Sequence, residues 1–164
     1  MPAIGASATR KVVNILGAQT GLPFAISALQ DRESVQLPAI DAAQVAPQNI
    51  AFEVAERTTG VTYPAVYVYC DGLANQLKEK FRTFSGKAHM AMEVRVSYDK
   101  LDTLARDVQL YAAAAAEVLD SHRGEWGDGM FYAGGYDVDF GPVKRGGKNF
   151  LQTAKISFDV DVSY

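Results

Sequence analysis

Lys87-Ala-His-Met-Ala-Met-Glu-Val-Arg-Val-Ser-Tyr98 alternates without a break. Ala88, Met90, Met92, Val94, Val96 and Tyr98 are apolar, and between them stand Lys87, His89, Ala91, Glu93, Arg95 and Ser97. Successive side chains of a strand point to opposite faces, so the run predicts one long strand with a buried face and a wet face. At about 3.3 Å per residue it would span about 40 Å, where a typical strand has roughly five or six residues. Ser85-Gly86 just before it predicts a tight turn from a short strand at Phe81 to Phe84.

Towards the C-terminus, Asp99 is the expected N-cap of a helix from Lys100 to Ser121. Leu101, Leu104, Val108, Tyr111, Ala115 and Val118 recur at three- and four-residue spacing, and Ala112 to Ala116 supplies the strongest helix former. His122, Arg123 and Gly124 end it, with cations where the helix dipole favours them. A second β pair follows. Met130, Tyr132, Tyr136, Val138 and Phe140 share one face, and Gly134-Gly135 marks a bulge or a close approach. Phe150, Ala154, Ile156, Phe158, Val160, Val162 and Tyr164 line one side of the last strand, and Asp137, Asp139, Thr153, Lys155, Ser157, Asp159 and Asp161 point the other way. The connection Gly141 to Asn149 reads as a loop, rich in glycine and cations, with little of its own to pack.

Towards the N-terminus, Val66 and Val68 among Tyr67 and Tyr69 predict another strand. Residues 18–63 are broken by Pro23, Pro38 and Pro47; Phe24 to Leu29 fits strand or helix, and Ile50, Phe52 and Val54 alternate as a strand would. A short helix from Ser7 to Leu16 is expected at the start, with Ser7 or Thr9 as cap and Gly17 as stop. The resulting expectation is an α+β fold: an antiparallel or mixed sheet of two long hairpins, an amphipathic helix on one face, and an N-terminal helix. One domain should hold all 164 residues, with 1–64 as helix and irregular segment and 65–164 as the core. Strands that outrun their covering helix leave edges in need of a partner, which points to self-assembly.

Composition narrows the function classes. A net charge of −3 is too small to argue for a nucleic-acid or membrane partner. Cys70 is the only cysteine, so no intrachain disulfide forms, and a reducing compartment suits it. The start of the chain lacks the basic and apolar pattern of a signal peptide, so synthesis and folding in a cytoplasm are expected. For catalysis, Cys70, His89 and His122 are the raw materials of a thiol–imidazole pair, but His122 suits a helix end and His89 a wet strand face. For a metal, Asp137/Asp139 and Asp159/Asp161 place paired carboxylates on one strand face, the basis of a metal-dependent enzyme as the alternative class. Gly141-Pro-Val-Lys-Arg-Gly-Gly-Lys148 departs from a phosphate-binding loop: Pro142 replaces a required glycine, Asn149 the hydroxyl residue, and a strand follows. Lys144, Arg145 and Lys148 remain as a basic patch for an acidic protein surface or DNA.

Tyr63-Pro-Ala-Val-Tyr-Val-Tyr-Cys70, Phe81-Arg-Thr-Phe-Ser-Gly-Lys87, the alternating strand, the helix, and Phe140-Gly-Pro-Val-Lys-Arg-Gly-Gly-Lys-Asn-Phe-Leu151 together resemble the tail terminator, or head–tail joining, family of neck proteins in long-tailed bacteriophages. The resemblance covers residues 65–164 and rests on element order and texture. It implies a virion protein that assembles as a ring, typically a hexamer, caps the tail tube and docks on the head–tail connector, while the genome DNA passes through without specific binding. It implies no cofactor and no catalytic residue. Tail tube subunits and other neck proteins share the layout and stand as the alternative. Within the ring, Asp137, Asp139, Asp159 and Asp161 are expected to face the channel, and Lys144, Arg145 and Lys148 a protein interface.

Overall fold

The computed structural model describes residues 3–58, 60–146 and 148–164. Its helices are α1 (Ile4–Gly17), α2 (Leu22–Glu33), α3 (Phe52–Thr58) and α4 (Leu101–Ser121), with one 3-10 turn at Ala42–Gln44. Its strands are β1 (Val45–Ala46), β2 (Ala65–Asn75), β3 (Ser85–Tyr98), β4 (Gly124–Gly127), β5 (Met130–Tyr132), β6 (Asp137–Phe140), β7 (Lys144–Gly146) and β8 (Asn149–Ser163). All belong to one mixed sheet of order β1-β2-β3-β8-β5-β4, in which β6 and β7 also pair with β8. The chain is α+β.

The alternating run is β3, 14 residues long, and its even side chains from Ala88 to Val96 are buried. It pairs antiparallel with β2 on one side and with β8, 15 residues long, on the other. The two longest strands therefore lie inside the sheet, whose margins are β2, met by β1 only at Val66 and Tyr67 among the described residues, and a set of shorter pieces on the other side. β4 to β7 are those pieces: β7, β6 and β5 succeed one another along the outer side of β8. Gly134 and Gly135, both at positive φ, carry the chain from β5 to β6 through a conformation that other residues rarely adopt.

Three helices cover the even face. α1 packs on β2 and β3, α4 on β3 and β8, and α2 on α4. Leu104, Val108, Tyr111, Ala115 and Val118 of the α4 stripe are buried, but Leu101 is exposed. Ala112, Ala114 and Ala116 are buried as well, so the alanine run supplies close packing as well as propensity. Tyr111 donates to the Pro38 carbonyl and pins the preceding segment over the helix. The N-cap of α4 is Lys100 with no side-chain cap; Asp99 lies outside.

Several expectations near the N-terminus change. α1 begins at Ile4, so Ser7 and Thr9 lie inside it, and Thr9 donates to the Gly5 carbonyl one turn back. Phe24 to Leu29 is helix α2, and Pro23 sits in its first turn, where no intrahelical N–H is needed. Phe52 and Val54 belong to α3, so the apparent alternation of Ile50, Phe52 and Val54 is not a strand. Ser85-Gly86 is not a turn. It opens β3, and a Cβ on Gly86 would stand 1.9 Å from the Ala74 carbonyl oxygen, so the glycine is there for close approach of β2. Phe81 to Phe84 is not a strand but the end of the tip joining β2 to β3.

Candidate functional site

The odd face of the sheet carries none of α1, α2 and α4, and it divides into two. At the Arg95 end it is covered. Residues 45–64 cross it, burying Ala55, Ala65 and Tyr67 in a small cluster with Ile50, Val61 and Tyr63 packed against it. Arg95, which alternation places on a wet face, is only 3% exposed. Its guanidinium stacks 4.3 Å from the Tyr67 ring centre, and its Nη2 donates to the Ile50 carbonyl and, at 3.3 Å, to Glu93 Oε2. Nε and Nη1 are buried with no acceptor, which ordinarily costs about 1–3 kcal/mol per group.

Beside Arg95 lies a cleft of about 460 Å³. Ile50, Phe52, Tyr69, Phe140 and Leu151 give it apolar walls; Glu53, Glu93, Asp139, Lys144 and Lys155 bring charge to it. Leu151 was expected on neither apolar stripe, yet it is buried, because this end of the odd face has its own cover. Lys144 lies 5.0 Å from the Phe52 ring centre, and Lys155 lies 3.7 Å from Asp71. Among the described residues Glu53 and Asp139 have no ion-pair partner.

The other half of the odd face is open and charged. Asp159 accepts from Lys87 at 3.0 Å and lies 2.6 Å from His89 Nδ1. Burial works against ionisation of Asp159, but the bonds from His89 and Lys87 outweigh it and hold its carboxyl below the usual value. The same carboxylate raises Lys87. Cross-strand register sets Asp139 opposite Lys155, Asp161 opposite Lys87, and Asp137 opposite Ser157. Asp137, Asp159 and Asp161 thus share one hollow with Lys87 and His89, while Asp139 faces the Arg95 cleft. The two aspartate pairs do not converge, and among the described residues no three His, Cys, Asp or Glu side chains are grouped to hold a metal ion.

Cys70 and His89 lie on opposite faces. Cys70 pairs with Met90 on the helix face, its side chain close to Gly5, and a bulge after it shifts the register so that Gly72 pairs with His89. Burial pushes the Cys70 thiol up, away from a reactive thiolate. His122 caps α4, its Nδ1 2.7 Å from the Val118 carbonyl. The basic segment is not a loop without structure: Lys144 to Gly146 pair with Asn149 to Leu151 as β7 on β8, and Lys144, Arg145 and Lys148 are exposed. Gly147, in the middle of it, lies outside the described residues.

The β2–β3 tip is a feature the sequence reading passed over. Asn75 clamps its base, accepting from the backbone of Leu77 and Ser85 and donating to the Thr83 carbonyl, while Phe84 is buried below. Above that base Leu77 is 67% exposed and Phe81 fully exposed, and both hold positive φ. Phe81 flanked directly by Lys80 and Arg82 is the available signal, but the short strand expected at Phe81 to Phe84 absorbs it. Protein-family models give no match to the chain, and neither do curated proteins.

Proposed function

We propose that this chain is a structural virion protein of a long-tailed phage, a tail terminator that forms a ring, caps the tail tube and joins it to the head connector. The observation that carries the reading is the pair of unlike surfaces at separate margins of one sheet. Leu77 and Phe81 project from the β2–β3 tip, and Phe140 and Val143 are exposed beside β6 and β7. A head-to-tail ring needs two different surfaces on each copy, and it closes when their rotation closes. The sequence resemblance supplies the class of particle. In this reading Asp137, Asp159 and Asp161 stand towards a channel where phosphates are repelled, and Lys144, Arg145 and Lys148 meet protein.

Electron microscopy of the purified protein, alone and added to growing tail tubes, tests the reading. Closed rings, and tubes that stop growing once the protein is added, are expected. Long tubes made from this chain alone would identify a tail tube subunit instead, and a chain that does neither is no terminator.

A further inference from the structure

We infer that the contact between copies seats the β2–β3 tip of one subunit in the Arg95 cleft of the next, with Phe81 as the anchor. The inference rests on the ring reading and names its interface. A fully exposed phenylalanine is ordinary on a mobile coil, but this one is displayed. Asn75 and the buried Phe84 fix the base of the tip, and Leu77 and Phe81 occupy a left-handed backbone that is strained for a non-glycine residue. Strain that turns apolar side chains outward fits a surface already shaped for a partner.

The cleft is complementary in two respects. Its walls of Phe52, Tyr69 and Phe140 are what an aromatic anchor packs against. Two of its three charges without an ion-pair partner among the described residues are negative, Glu53 and Asp139, against Lys144, which lies over Phe52, while the two such charges of the tip, Lys78 and Lys80, are both positive. Arg82 at the tip is already paired with Glu79. Arg95 borders the cleft nine-tenths buried, its Nε and Nη1 without an acceptor but closed off from solvent. Tip and cleft are different surfaces of one chain, so each copy both gives and receives.

That asymmetry makes the contact testable by mixing. Phe81→Ser disables the tip, and Thr153→Trp fills the cleft; Glu53→Lys with Asp139→Lys disables the cleft without adding bulk. Each variant alone should remain monomeric, with the concentration for half-assembly raised about 30-fold or more, the effect of losing a central anchor. Melting temperature and circular dichroism should match wild type. A one-to-one mixture of tip-disabled and cleft-disabled copies keeps one good tip and one good cleft per pair. Sedimentation velocity should therefore show a dimer of unlike copies that grows no further. Rings from either variant alone, or from the mixture, would overturn the contact while leaving the ring reading intact. Tip variants that form rings but no longer bind tail tubes would assign Phe81 to another protein and overturn it too. A wild-type chain that stays monomeric at every concentration would remove both the contact and the ring.

Discussion

The two faces of the sheet are buried by different means. The even face carries an unbroken apolar stripe on β2, β3 and β8, and three helices close it completely. The odd face alternates with it residue for residue, yet only the Arg95 end is covered, by α3 and the chain on either side of it, and that cover encloses a guanidinium. The remainder stays open, with Lys87, His89 and Asp159 tied to one another. The helical face holds the subunit together, and the half-covered face is where geometry is left for a partner. A sheet does not need a second complete layer when another copy can supply part of it.

The sharpest way to break that division is to charge the helical face. Leu104→Asp places a carboxylate among fully buried side chains with no partner, and the domain should fail to fold, seen as lost near-ultraviolet dichroism and insoluble expression. A soluble, cooperative variant would show that α4 does not hold the core.

The covered part of the other face should respond less, and in a sign-dependent way. Arg95→Ala leaves a cavity beside Tyr67 and strips Glu93 of its partner, and should cost about 2–4 kcal/mol in denaturant unfolding. Arg95→Met fills the same space without orphaned donors and should leave stability equal to wild type or higher. If Met costs as much as Ala, the guanidinium's own bonds stabilise the subunit, and the covered part of the odd face helps to hold the fold as the helical face does.

The open part should respond least. The lowered Asp159 carboxyl contributes stability that is fully present above the ordinary carboxylate value near pH 4 and is lost as pH falls through its lower folded value. Raised Lys87 contributes below its ordinary value and loses that contribution as pH rises through the folded one. Asp159→Asn should therefore lower the melting temperature slightly at neutral pH and by less at pH 2. An equal loss at both would mean that Asp159 acts through packing instead.

Legibility followed the same boundary. The alternation in β3 and β8 and the stripe of α4 were readable because a single periodic face is buried against a single layer. Arg95 and Leu151 were not, because what covers that end of the odd face is a segment distant in sequence. Gly86 misled in another way: a turn and a close strand approach demand the same residue, and only register distinguishes them. At the site, the aspartates and the 144–148 cations were visible as charge, but their division between hollow, cleft and β7 hairpin depends on pairings that no local pattern encodes. Phe81 reads as the first residue of a short strand. Its exposure is a property of the tip's backbone.

The register of β3 with β8 bears on the timing of folding. Every pair in that ladder joins residues about fifty to eighty positions apart, from Tyr98 with Phe150 to Ser85 with Ser163. Such distant pairing is slow to form, because chain entropy is lost before contacts repay it. Until β8 docks, one whole side of β3 exposes a ladder that any other chain can extend, at a stage when α4 has little sheet to rest on. A nascent subunit is thus most prone to joining its neighbours wrongly before it can join them correctly, and chains cut short before residue 149 should accumulate as aggregates.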